Sequence, residues 1–408
     1  MKIAIVHPYL VHARAVGGTT RVYGLVRHLA ANHSVEVLTH ASGDPEADRA
    51  AAADLAKLGA VHRTFERPRA TTSRKLSWML SPDPYFVGHN LNPALAGHLA
   101  RRDRAGELDL VHTEFAYLEP HLAGLGPRPA RILAEQETMS LMIERLRSVP
   151  GALKSAYQLY IARELRAVRR FERAVLPRFD RAFAITPQEA GLFSAILGRP
   201  APVLPHVVDA SAFSPPAAEP AAPVCLFVGN FAHDPNLHAL HWLLEHAWPA
   251  IRAGRPDVRL EIVGPGLPEA TARDAAAQGV SPLGRVEDLA ECYRRAAVFV
   301  NPITSGGGMR GKVLEAFASG RPVVSTRLGM EGIAARDGIQ FDEAETGPAF
   351  ADAVLRLLAD PALRQSRGAQ ARALVEERYD APRVFARLES EYEAAVAARR
   401  QRPEVRVA

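Results

Sequence analysis

The chain has 408 residues, of which 48% are hydrophobic and 23% charged, with a formal net charge of +5. That length suits two domains of about 200 residues rather than one, and the composition is that of an ordinary globular protein. Cys225 and Cys292 are the two cysteines; without a C-x-x-C pair or a Cys/His cluster they exclude a disulfide framework and a cysteine metal site, and no apolar run is long enough to cross a bilayer.

Lys2-Ile3-Ala4-Ile5-Val6 reads as a buried strand and not as a signal peptide. The loop from His7 to Val16 ends at Gly17-Gly18, residues 19–31 are predicted helical, and Val35-Glu36-Val37-Leu38-Thr39 is the next strand. Strand, glycine loop, helix and strand make one Rossmann unit. Further strands are predicted at 108–112, 131–134, 181–186 and 202–207. Residues 141–178 have helical periodicity, with Tyr157, Ile161, Leu165, Val168, Phe171 and Val175 on one face. The same stretch is dense in cations, including Arg145, Arg147, Lys154, Arg163, Arg166, Arg169, Arg170 and Arg173. A basic face beside an apolar stripe suits a packed helix with a solvated side, and it is also compatible with anionic lipid. The motifs of a nucleic-acid binder are missing from it.

The Pro- and Ala-rich segment Phe213 to Pro223 reads as a linker. Beyond it, strands predicted at 224–228, 258–263, 297–301, 322–326 and around 338–341 alternate with helices at 235–253, 267–277, 287–295 and 311–319. Such alternation predicts a parallel sheet covered on both faces. Residues 347–400 read as helical and charged.

The segment richest in chemistry is Gly306-Gly307-Gly308-Met309-Arg310-Gly311-Lys312, which runs into a helix bearing Glu315 and then into the strand Pro322 to Thr326. Glycines let a backbone approach a bound group, and a helix N-terminus offers free N–H groups and a positive dipole end. Arg310 and Lys312 add charge-assisted hydrogen bonds. The arrangement suits a diphosphate, with Glu315 placed to accept from a sugar hydroxyl. No Asp-x-Asp triplet occurs.

This segment resembles the donor-site signature of retaining glycosyltransferase family 4, the group 1 glycosyltransferases of the GT-B fold. Glu315 matches the second glutamate of that signature, and Gly307 stands where the first is usual. The resemblance implies an α/β fold of two facing Rossmann-like domains with parallel sheets: an acceptor-side domain at 1–205, a nucleotide-sugar donor domain at 206–385, and a helix and tail at 386–408 crossing back to the first domain. It implies a retaining, metal-independent transfer of a sugar from a nucleotide-diphosphate sugar, without a further cofactor, to a cell-surface glycan, glycolipid or metabolite. The expected setting is cytoplasmic, with peripheral contact at the inner membrane face, in a bacterial protein that binds no nucleic acid.

By the same resemblance Arg310 and Lys312 stabilise the leaving diphosphate. The donor is further contacted by Gly17, Gly18, Gly229, Asn230, Gly264, Gly266, Arg285, Val286, Gly307, Gly308, Met309 and Glu315. The cleft histidine of the family is assigned to His112, with His7 and Gln136 as alternatives, and His206 takes the place of an Asn at the domain junction. Two other readings keep the same architecture: a sugar-nucleotide epimerase and a non-catalytic partner protein.

Overall fold

The computed structural model describes residues 1–13, 17–68, 70–147, 155–220 and 222–401. Val16, Lys154, Ala221 and residues 402–408, all parts of the expectations above, lie outside the described residues. The chain forms two compact units, one made of residues 1–205 together with the chain from Phe385 onward, the other of His206–Val384.

In the first unit β1 (Lys2–His7), α1 (Gly18–Ala30), β2 (Ser34–His40), α2 (Pro45–Lys57) and β3 (Val61–Phe65) come first. Three helices follow, α3 (Thr72–Leu80), α4 (Tyr85–Asn90) and α5 (Pro93–Arg104). Then come β4 (Leu110–Thr113), β5 (Ala130–Ala134), α6 (Met139–Arg147), α7 (Ser155–Val175), β6 (Arg181–Phe183) and α8 (Pro187–Leu197). The sheet is parallel with order β3-β2-β1-β4-β5-β6, and Ile5 pairs with Val37 on one side and His112 on the other. Apolar strands buried on both faces explain why β1, β2, β4 and β5 are plain in the sequence. The edge strand β3 was not predicted, because its Val-His-Arg-Thr-Phe is largely exposed and lacks an apolar run. The segment 202–207 is not a strand; it contributes one bridge, Val203 to Ala184.

Within the stretch 141–178 the described residues form α6 and α7. Ile161, Leu165, Val168, Phe171 and Val175 are buried as expected, whereas Tyr157 is 42% exposed. Among the cations there, Arg163 pairs with Glu164, Arg169 with Glu144 and Arg178 with Glu119; Arg181, just beyond, pairs with Glu391. The final helix, α16 (Ala381–Gln401), packs in this unit from Phe385 on. Arg399 meets Asp180 at 2.9 Å and Arg400 meets Asp109 at 3.0 Å.

The second unit runs β7 (Val224–Val228), α9 (Asp234–Trp242), α10 (Trp248–Gly254), β8 (Arg259–Val263), α11 (Glu269–Ala277) and β9 (Val280–Gly284). It continues with α12 (Leu289–Arg295), β10 (Val298–Asn301), α13 (Gly311–Ala318), β11 (Val323–Ser325), β12 (Asp342–Glu343), α14 (Gly347–Ala359) and α15 (Pro361–Arg378). Its parallel sheet has the order β12-β11-β10-β7-β8-β9. The helix expected over 235–253 is interrupted by a wide turn at Leu243–Ala247. Pro249 cannot donate to the carbonyl four residues back, and the turn widens to pass it. The strand expected around 338–341 lies at Asp342–Glu343.

Phe213 to Pro223 is not a free linker. Pro215 packs on Gly320, Glu219 pairs with Arg364 at 3.0 Å, and Arg372 donates to the Phe213 carbonyl at 2.5 Å, all within the second unit.

Candidate functional site

β7 and β10 are neighbours in the second sheet, yet the chain leaves them in opposite directions, toward β8 and β9 on one side and β11 and β12 on the other. This is a topological switch point, where open α/β sheets bind ligands beyond the carboxyl ends of the strands. Asn236, in the first turn of α9, and Lys312, in the first turn of α13, meet there. Lys312 Nζ donates to Asn236 Oδ1 at 2.8 Å and lies 5.1 Å from the centre of the Phe227 ring. Burial, and then the charge of Arg310, bring the Lys312 ammonium down to about 7, while Glu315 acts the other way. A cation so weakly held by its own protein is ready to take an anionic partner.

α13 begins without a side-chain cap, and Arg310 is its N-cap residue. Gly306 and Gly308 adopt left-handed φ values of 86° and 80°, and Gly307 does not. A side chain at Gly306 would press on Pro235, its Cβ 3.0 Å from Cγ, and one at Gly311 would press on the ring of His206, its Cβ 2.7 Å from Nε2. The loop is therefore packed against α9 on one side and His206 on the other. Met309 is buried beneath it. Arg310 turns its guanidinium back onto the loop, donating to the carbonyls of Gly307 and Gly308. It braces the loop in this conformation.

Glu315 stands one turn further into α13, with Oε2 accepting from the Tyr293 hydroxyl at 2.9 Å. Burial pushes the Glu315 carboxyl up, against the pull of Tyr293 and Lys312. Tyr293 is itself fully buried.

The other predicted glycines serve each other's loops. Gly229 N–H donates to Val263 O, Gly264 N–H to Gly284 O and Phe231 N–H to Pro265 O. A Cβ on Gly264 would overlap the Gly229 carbonyl, and one on Gly266 would lie 2.8 Å from Ala232 N. Asn230 accepts from Ala232 N–H through Oδ1 and from Asn236 Nδ2 through its carbonyl, so it fixes the residue that meets Lys312. Arg285 is exposed and Val286 half-buried, just after the edge strand β9, two strands from β7.

In the first unit Gly17, with φ of 62°, is the N-cap residue of α1. A Cβ on Gly18 would overlap the Gln136 amide, which donates to Gly18 O at 3.3 Å and to Glu114 at 2.7 Å. Glu114 also pairs with Arg21 at 2.6 Å and with His112 Nε2 at 2.8 Å. Its burial acts to raise the carboxyl, but Arg21 and His112 outweigh it and hold the group far below the usual range. His112, assigned above as the cleft histidine, lies inside the first unit. The ring is wholly buried, and its other nitrogen, Nδ1, is 2.5 Å from the Tyr392 hydroxyl. Both ring nitrogens are thus engaged inside the first unit. His7 is also buried, its ring bonded to the backbone of Tyr9.

Asn236 and Tyr293 were missed as site residues. The signal for Asn236 was its place just past the loop that follows β7, in the first turn of α9; Tyr293 gave none beyond the apolar pattern of α12.

Two doubly wound parallel sheets, one carrying a glycine loop, a cation and a helix N-terminus at its switch point, have the architecture of the GT-B fold. Residues 222–360, about a third of the chain, match the family described as Glycosyl transferases group 1. A GDP-mannose-dependent monoacylated alpha-(1-6)-phosphatidylinositol monomannoside mannosyltransferase from Corynebacterium glutamicum is 35% identical over 143 residues, 32% of this chain and 37% of that protein. The chain spans about two fifths of the length of the curated relatives it matches. Among solved structures, a sucrose-phosphate synthase from Thermosynechococcus elongatus superposes with a TM-score of 0.69 at 19% identity, covering 97% of this chain and 99% of that one. Anabaena HepE, solved with UDP and glucose, does so with a TM-score of 0.67 at 13% identity, covering 97% and 100%. These two likenesses establish the fold.

Proposed function

We propose that the protein is a retaining glycosyltransferase that binds a nucleotide-diphosphate sugar at the switch point of its second unit. The observation that carries this is Lys312 Nζ, held between the first turns of α9 and α13 beside an uncapped helix N-terminus. As the bond from the anomeric carbon to the diphosphate breaks, negative charge grows on the leaving group. Preorganised cations and N–H groups stabilise it there. An arriving diphosphate favours the charged form of Lys312, and Arg310 can exchange its loop carbonyls for phosphate oxygens. Glu315, aimed by Tyr293, accepts from the ribose. With these charges in place the proposal needs no metal ion.

The acceptor is proposed to be a cell-surface glycan, a glycolipid or a metabolite, met at the inner face of a bacterial membrane. No helix among the described residues is long and apolar enough to cross that membrane. α3 leaves Leu76 and Leu80 exposed beside Arg74 and Lys75, which suits peripheral contact with anionic lipid.

The test is incubation with UDP- and GDP-sugars, with and without a chelator. Slow release of free sugar and nucleoside diphosphate, unaffected by the chelator, supports the reading, and proton NMR of the glycoside formed on an added acceptor alcohol reports retention. An epimeric nucleotide sugar would indicate an isomerase, and neither binding nor turnover a partner protein.

A further inference from the structure

Arg67 lies just beyond β3, at the carboxyl edge of the first sheet, where the ends of three adjacent strands β3, β2 and β1 gather. Its Nη2 donates to Pro8 O at 3.0 Å and faces His40 Nδ1 at 3.4 Å; its Nη1 faces His89 Nε2 at 3.4 Å. No carboxylate pairs with it among the described residues. Three nitrogens of this cluster are buried without a partner: Arg67 Nε, His40 Nε2 and His89 Nδ1. A guanidinium is a permanent donor, so His89 Nε2 accepts from it and the ring proton stays on Nδ1. Among the described residues the cluster thus holds a positive charge without a counter-ion and N–H groups without an acceptor. Native proteins rarely leave either uncompensated. The histidines do not carry the charge. Burial first, then Arg67, bring His40 down to about 4 and lower His89 as well.

Aromatic rings surround this charge. Tyr85 stacks on His89 at 5.7 Å, and Trp78 stands edge-on to both. The series continues through Phe86 to Tyr117, which stacks on Phe115 at 5.0 Å. Trp78, Tyr85 and His89 are only half-buried. Flat, partly exposed π-faces pack well on the C–H face of a sugar ring.

We infer that the Arg67 cluster binds an anionic sugar, a sugar ring bearing a phosphate or a carboxylate, with the anion on Arg67 and the ring on Trp78 and Tyr85. This deepens the transferase reading, on which the word acceptor rests: the acceptor, or the end of it that is held, is anionic.

Calorimetric titration of the full chain with glucose 6-phosphate, glucuronate, glucose and inorganic phosphate tests this, with UDP titrated in parallel. Glucose 6-phosphate, glucuronate or both should bind at least about ten-fold more tightly than glucose, and which of them binds identifies the anion. Arg67→Met should weaken that binding about ten-fold, with Arg67→Lys falling in between. Trp78→Ala should weaken the sugars and spare inorganic phosphate. UDP affinity should be the same in every variant, which also shows that each is folded. Glucose binding as tightly as the anionic sugars, unchanged affinity in Arg67→Met, or no binding of any anionic sugar would each overturn the inference. Loss of UDP binding in the wild type would sink the donor reading alone.

Discussion

The buried hydroxyl of Tyr293 lies 2.9 Å from Glu315 Oε2 and 3.0 Å from the carbonyl of Lys312, so one side chain of α12 fixes two residues of the first turns of α13. Tyr293→Phe should keep the fold, since the ring still packs on Phe299 and Phe213. Removing a buried hydrogen bond to a carboxylate costs about 1.5–3 kcal/mol, so UDP or GDP should bind about ten-fold or more weakly. Glu315→Gln should weaken it too. Calorimetry with a ribonucleotide and its deoxyribose analogue separates aim from stability. Should Tyr293→Phe discriminate the two as the wild type does, the tyrosine has no part in orienting Glu315.

Lys312→Ala should lower turnover more than it weakens binding, because its charge matters most as the leaving group forms. The expected loss is about 3 kcal/mol, or about a hundred-fold. With Lys312 at about 7 in the free protein, diphosphate affinity should fall as pH rises above about 7, and binding at pH 8 should take up a proton. The stability effect has the opposite sense. The folded value lies below the unfolded 10.5, so the cost of burying the ammonium is full below about pH 7 and is relieved as pH rises toward 10.5. Calorimetry in buffers of different ionisation enthalpy would detect the proton; none taken up at pH 8 excludes this role.

The glycine loop makes separate predictions for adjacent positions. Gly306→Ala and Gly308→Ala force a Cβ into left-handed backbone and should each cost about 1–2 kcal/mol by urea unfolding. Gly307→Ala should cost less. Gly307→Glu restores the usual family pattern on paper, yet should reduce activity by placing an anion beside the diphosphate. A gain in initial rate would show that the site had merely lost its glutamate.

His112→Ala should act on stability and spare the chemistry. It strips a partner from Glu114 and from Tyr392 inside the first unit. A loss of about 2–3 kcal/mol is expected by chemical denaturation, with turnover per folded molecule unchanged. Collapse of turnover in a fully folded variant would restore His112 to the catalytic list.

Helix caps were more legible than the sequence reading used. Asp44-Pro45, Asn92-Pro93 and Thr186-Pro187 each place a capping side chain just before a helix-starting proline, and they open α2, α5 and α8, none of which was predicted. The edge strands were harder. β9 contains Pro282 and β3 is mostly polar, as edges tolerate and centres do not.

The sequence by itself determined the two alternations of strand and helix and the glycine-cation loop before α13, because a strand buried on both faces and a loop that must bend left-handed each require local residue types. What each side chain of the site touches was decided only by the tertiary structure. Lys312 meets Asn236 from 76 positions away, and His112 is sealed by Tyr392 from 280. Such pairs form only when the sheet order brings distant loops together, and nothing in the local chemistry of either residue names its partner. For the same reason Arg67 is an ordinary cation in the sequence and, among the described residues of the fold, a charge without a counter-ion.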